Sequence, residues 1–148
     1  MSYDFYLLPS SVINSDPVLA RNFLSQESQR FATIAETANI EAEIRKRVLA
    51  ETLLKMKPDY RELYFDYAAI AAFEDICVED ARRKYRFIEI NGTQSVGIQF
   101  HFCDNYAVVH CHFGIASDEL DAILYSLCMV GDYVVFDPQK DKIQDIRK

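Results

Sequence analysis

The stretch that decides the fold is QSVGIQFHFCDNYAVVHCHF, which runs from Gln94 to Phe113. Two runs of alternating apolar and polar residues flank Asp104-Asn105, a pattern typical of a β-hairpin with a tight turn. With a loop of two or four residues, Ile98 faces Cys111 and alternate residues fall on opposite faces. One face is apolar and is predicted to be core: Ile98, Phe100, Phe102, Ala107, Val109, Cys111 and Phe113. The other holds all three histidines: Gln99, His101, Cys103, Tyr106, Val108, His110 and His112.

The N-terminal part is predicted to hold one strand and two helices. Tyr3 to Leu8 is rich in aromatic and aliphatic residues and predicts a strand that ends at Pro9. Asp16-Pro17 offers an N-cap followed by proline at the first helical position, so a helix is predicted to begin there. A second helix is predicted between Asn39 and Pro58. Its expected core face carries Ile40, Ile44, Val48, Leu49 and Leu53. The opposite, charged face carries Glu41, Glu43, Arg45, Lys46 and Arg47.

Two more helices and two more strands follow. Asp59 and Glu62 have capping-box spacing, which predicts a third helix from Tyr60 to about Lys84. Phe87 to Gly92 and Tyr133 to Phe136 are predicted to be strands. The last helix is predicted to begin at Ser117 as N-cap and to stop at Gly131. Its apolar stripe is Leu120, Ile123, Leu124, Leu127 and Cys128.

The order β-α-α-α-β-β-β-α-β predicts an α+β fold. We expect a single domain over residues 1–148, with a mostly antiparallel sheet of about 4–5 strands covered by helices on one face. Half of the residues are hydrophobic, which suffices for one core.

Several features predict a cytoplasmic protein without a cofactor. Cys77, Cys103, Cys111 and Cys128 match neither a CxxC redox pair nor a paired-CxxC zinc site, so reduced thiols are expected. The N-terminus lacks the basic start and the apolar run of a signal peptide. No apolar stretch approaches the ~20 residues that span a bilayer, so no membrane contact is expected.

Charge is placed unevenly along the chain, whose formal net charge is −7. Residues 87–139 contain no Lys or Arg but hold seven acids: Glu89, Asp104, Asp118, Glu119, Asp121, Asp132 and Asp137. Residues 59–80 are also acidic, with Arg61 as their only base. The bases of residues 82–86 suit the end of a helix. Because a nucleic-acid footprint needs a basic face, no direct nucleic-acid contact is expected.

Acids interleaved with tyrosines are what a surface that recognises a basic protein would use, because tyrosine adds contact area with a polar end. We therefore expect a non-enzymatic binding protein with a basic partner. The first-choice binding residues are Asp118, Glu119, Asp121 and Asp132. The second choice is Glu62, Asp66, Glu74 and Asp75.

Both ends of the chain also carry a family resemblance. The opening Met1-Ser-Tyr-Asp-Phe-Tyr6, the hairpin followed by an amphipathic helix, and the closing Gly131-Asp-Tyr-Val-Val-Phe-Asp-Pro-Gln139 resemble small bacterial immunity proteins of toxin–immunity systems, including contact-dependent inhibition. The resemblance implies a cytoplasmic protein that binds and blocks one toxin domain, often a cationic nuclease. It transfers no individual binding residue.

Two other hypotheses remain open at the level of sequence. His101, His110 and His112 could hold a transition metal or serve as general acid and base, although no acid is expected on their face. Cys103 is the one thiol expected beside them that could act as a nucleophile. Alternatively, the His/Tyr face of the sheet could be the self-contact of a homodimer or a larger homo-oligomer with a structural or regulatory role.

Overall fold

The computed structural model describes residues 3–33, 39–92, 97–111 and 117–147. In chain order the elements are β1 Tyr3–Pro9, α1 Ser10–Ile13, α2 Pro17–Thr33, α3 Ile40–Met56, β2 Arg61–Leu63, α4 Tyr67–Glu74, α5 Val78–Lys84, β3 Ile88–Asn91, β4 Ile98–Phe102, β5 Ala107–Cys111, α6 Ser117–Gly131, β6 Tyr133–Asp137 and β7 Lys142–Gln144.

The strands form one sheet in the order β2-β3-β4-β5-β1-β6-β7, and all neighbouring pairs are antiparallel. The predicted α+β class is confirmed, but the sheet has seven strands rather than about 4–5. The strands that sequence did not predict, β2 and β7, have three residues each and lie at the two edges. Such short edge strands carry too little alternation to be recognised from sequence.

The predicted hairpin register is confirmed. Ile98 pairs with Cys111 and Phe102 pairs with Ala107, as the turn at Asp104-Asn105 requires. Within the described part, the expected apolar face is buried: Ile98, Phe100, Phe102, Ala107, Val109 and Cys111. His112 and Phe113 lie outside the described residues.

Helices lie against both faces of the sheet. Leu49 and Leu53 of α3 and Leu127 of α6 pack in the main core with the apolar hairpin face, which is the coverage expected from sequence. On the opposite face, Ile13 of α1 and Ala20 of α2 pack on a second cluster: Leu8, Val134 and Phe136. This second layer, which covers the β1–β6 part of the sheet, differs from the prediction of helices on one face only.

Helix α3 lies rotated from its predicted orientation. Leu49 and Leu53 are buried as expected, but Ile40, Ile44 and Val48 are exposed, and Lys46 of the supposed charged face is 0% exposed. The reason is that the Nζ of Lys46 finds three acceptors inside the fold, so burying this charge leaves no donor unpaired.

The predicted helix from Tyr60 to Lys84 is wrong. Its first part is β2, which extends the sheet by pairing with β3, and Glu62 is a strand residue rather than part of a capping box. The N-cap is instead Asp66, whose side chain accepts the N–H of Ala69. Asp75 then separates α4 from α5, because its φ of 56° is left-handed and cannot continue a helix.

Of the predicted helices, α6 agrees best with the structure. Four of its five predicted apolar residues are buried, and Leu120 packs against the core. The helix ends at Gly131 as predicted. The left-handed residue is the following one, Asp132, with φ of 57°. Gly131 is needed because a Cβ at this position would overlap the buried ring of Tyr133.

Candidate functional site

Two of the four first-choice carboxylates are held in ion pairs at the ends of α6. Lys57 contacts Glu119 in the first turn, and Arg147 contacts Asp132 just after the last turn. Arg147 also binds Asp145 at 2.7 Å, so it links the chain terminus to the α6–β6 junction. Glu119 and Asp132 therefore have a role in holding the fold together.

The second-choice acids are also engaged in the fold. Arg47 binds Glu62 through two hydrogen bonds of 2.6 and 3.1 Å, which connect α3 to the edge strand β2. Glu74 contacts Lys84 and accepts the hydroxyl of Tyr85 at 2.6 Å. The remaining two define the ends of α4 as N-cap and left-handed terminus: Asp66 and Asp75.

The expected uncompensated acidic surface is therefore partly neutralised. Three of the seven acids of residues 87–139, namely Asp104, Glu119 and Asp132, meet a lysine or arginine from another part of the chain. The clearest case is Asp104 in the hairpin turn, which binds both Lys46 and Arg86. In this part of the surface, acids and bases that are far apart in the sequence form ion pairs in the folded chain.

One face of α6 carries two acids that meet no base among the described residues. Asp118 and Asp121 are exposed and contact no base among the described residues. Tyr125 and Met129 follow on the same side of α6 at helical spacing, and both are about half exposed. We call these four residues, Asp118, Asp121, Tyr125 and Met129, the α6 outer face.

A groove adjoins the α6 outer face. Its volume is ≈390 Å³, and Asp121 and Tyr125 form part of its wall. The rest of the wall includes apolar side chains from the strands and the C-terminal segment, Phe5, Val135 and Ile146, together with the polar side chain of Gln144. An apolar hollow beside unpaired carboxylates can accept a side chain that is apolar along its stem and positive at its end.

The polar face of the hairpin forms a second candidate site. His101 is directly opposite Glu89 of β3, and its Nε2 lies 3.0 Å from Oε1, in contact but without hydrogen-bond alignment. His110 is directly opposite Asp4 of β1, with Nδ1 2.7 Å from Oδ1. The two imidazole rings are 5.2 Å apart between centroids. The expectation that no acid reaches this face is therefore wrong.

Those acids were missed because they belong to other strands. Glu89 and Asp4 lie far from the histidines in sequence, and their positions depend on the strand order β3-β4-β5-β1. Alternation along β1 and β3 assigns their residues to one face or the other. It does not identify the neighbouring strand, so it cannot predict which residues of two strands lie opposite each other.

His101 and His110 each have a carboxylate beside one ring nitrogen, an arrangement that suits proton exchange. A carboxylate on one ring nitrogen orients an imidazole and leaves the other nitrogen available. Within the described ranges, no three His, Cys, Asp or Glu side chains are grouped closely enough for a metal ion. The predicted ligand His112 lies outside those ranges. Burial raises the pKa of Cys103 to about 12, so its thiol is not an activated nucleophile.

His101 should make stability depend on pH. Burial lowers its pKa below the ordinary value, and the nearby His110 acts in the same direction, while Glu89 opposes both. Between about pH 6.5 and the folded-state pKa, the unfolded chain therefore binds a proton at His101 that the folded protein does not bind. We expect the free energy of unfolding to fall as pH drops from 7 through the folded-state pKa, and His101→Gln to flatten this decline. Urea titrations at several pH values measure both slopes; equal slopes would contradict the assignment.

Comparisons of this chain with protein-family models, with curated proteins and with solved structures give no match. The resemblance to immunity proteins stays a prediction. Among the described segments, no helix combines the length and apolar character needed to cross a bilayer.

Proposed function

We propose that this protein is a non-enzymatic binding protein that neutralises a basic protein partner, as an immunity protein does when it blocks a nuclease-type toxin domain. The α6 outer face is the proposed contact surface. The observation that carries the proposal is the combination, on one exposed side of α6, of Tyr125 and Met129 with two carboxylates that meet no base among the described residues, next to a groove with apolar side chains in its wall.

Each component of this face suits recognition of a cationic surface. Unpaired carboxylates attract a positive partner without first breaking an internal ion pair. Aromatic and methionine side chains are enriched in the centres of protein interfaces, where they supply buried contact area. Glu119 and Asp132 already have basic partners, so the proposal now relies on Asp118 and Asp121.

The proposal predicts that reversing charge on α6 slows association. With Asp118→Lys and Asp121→Lys combined, we expect the association rate constant at low salt to fall at least about tenfold, since steering of this kind raises rates by 10 to 10³. The partner for this measurement is the protein that co-purifies from the native host, identified by mass spectrometry and produced alone. Stopped-flow kinetics at low and high salt should show the difference shrinking with screening.

A matched control separates local charge from net charge. Glu79 is an exposed helix carboxylate with no ion pair among the described residues, and it lies on α5, away from the α6 outer face. Glu79→Lys changes the net charge as much as Asp121→Lys alone and should leave the rate nearly unchanged. Equal slowing by both single variants would point to overall charge, and no slowing by either would contradict the proposed surface.

A further inference from the structure

Helix α3 presents an apolar stripe to solvent. Ile40, Ile44 and Val48 follow one another at four-residue spacing and are 76%, 59% and 43% exposed. They border a shallow hollow of ≈370 Å³ together with Glu43 and Arg47. Single exposed apolar residues are common, but an aligned row on one helix marks an interaction surface.

The charges around the stripe do not select a basic partner. Exposed residues on this side of α3 include two acids and two bases: Glu41, Arg47, Glu51 and Lys55. The charges of these four exposed residues therefore cancel, whereas the α6 outer face carries only acids. Such a surface fits a partner that presents the same apolar, acidic and basic residues in the opposite order along its helix.

We propose that α3 is the contact between two copies of this chain, related by a twofold axis that passes close to Val48. The helices would run antiparallel, so that Val48 meets its own counterpart and Ile44 meets Thr52 of the second copy. The contact thus covers the exposed side chains of Ile44 and Val48 on both copies.

The same register also pairs opposite charges. Glu41 of one copy lies opposite Lys55 of the other, and the symmetry produces this pair twice. Neither side chain has an ion-pair partner in the described part of its own chain. Antiparallel packing also places the positive N-terminal end of each α3 near the negative C-terminal end of the other. With 17 residues, the helix is roughly 25 Å long, enough for the Val48 contact and both Glu41–Lys55 pairs if the crossing angle is small.

Analytical ultracentrifugation of the full chain over a wide range of concentration tests the proposal. We expect a monomer–dimer equilibrium whose dissociation constant rises at least about tenfold in Ile44→Glu, because the variant places two carboxylates in the contact. Val12→Glu is the matched control. Val12 is 52% exposed but lies on α1, on the opposite side of the sheet, so its variant should dimerise normally.

A charge exchange tests the antiparallel register itself. Glu41→Lys and Lys55→Glu should each weaken the dimer, because each places like charges opposite one another twice. The double variant should restore it, because the pairs are rebuilt with reversed sign. Both positions are exposed, and circular dichroism checks that the three variants fold. Monomer at every concentration, a dimer indifferent to Ile44→Glu, or a double variant no tighter than the single ones would overturn the proposal.

Discussion

Replacing Lys46 by methionine is expected to lower the free energy of unfolding by about 3 kcal/mol, the lower end of what removal of one partner from a buried ion pair costs. The Nζ of Lys46 contacts Glu43 and donates to Asp104 Oδ1 at 2.8 Å and to the carbonyl of Arg86 at 3.0 Å. Methionine fills the same channel with apolar atoms but satisfies none of these acceptors. The loss is limited because Arg86 still binds the carboxylate of Asp104.

The position of Lys46 explains the size of the effect. It joins α3 to the turn of the β4–β5 hairpin and to the chain that enters β3, and Arg45 adds a 2.6 Å hydrogen bond to the carbonyl of Asp104. Burial alone would raise the pKa of Asp104, but the hydrogen bond and charge of Lys46, together with Arg86, hold it below its usual value. Protonation of Asp104 at acidic pH should therefore weaken the same junction.

Denaturant unfolding of matched variants measures this prediction. Lys57→Met removes a lysine from a partly exposed ion pair with Glu119 and should cost less than about 1 kcal/mol. In the double variant Lys46→Met, Asp104→Asn, the combined cost should fall short of the sum of the single costs, because the two side chains interact directly. If Lys46→Met lowered the free energy of unfolding no more than Lys57→Met does, the buried contacts of Lys46 would not stabilise the fold, and the prediction would be contradicted.

Local patterns in the sequence were sufficient for elements whose two faces differ strongly. The hairpin register followed from alternation around Asp104-Asn105, and α6 followed from its apolar stripe, because in both cases a shift would expose core residues. The orientation of α3 could not be predicted in this way. Its apolar row suggested a core face, whereas burial of Lys46 depends on acceptors contributed by the hairpin turn and by Arg86.

The candidate sites show the same dependence on distant residues. The net charge of residues 87–139 was visible in the sequence, but its partial neutralisation by Lys57, Arg147 and Lys46 requires the tertiary fold. Asp118 and Asp121 kept the exposure expected of them because they lie on the outward side of a helix whose inward side was already clear. Tyr125 and Met129 shared that side and could have been selected with them by helical spacing alone.

Truncation of Phe100 to alanine is expected to cost about 3–5 kcal/mol, as removal of a fully buried aromatic side chain does. Phe100 is 0% exposed at the centre of β4, where it pairs with Ile90 on one side and Val109 on the other. Its ring centroid lies 6.3 Å from that of Tyr60 and 6.2 Å from that of Phe102. These neighbours are held by the sheet or by α3 packing and cannot close the space that alanine leaves.

The adjacent residue provides the control, because successive residues of a strand face opposite sides of the sheet. Gln99→Ala removes only a half-exposed side chain with a 3.3 Å hydrogen bond to Glu89, and it should cost less than about 1 kcal/mol. Phe100→Leu should fall between the two, since leucine refills part of the cavity. Urea midpoints at constant m-value give this order directly. Similar costs at positions 99 and 100 would mean that both hairpin faces are buried alike, which would remove the basis for an accessible histidine face.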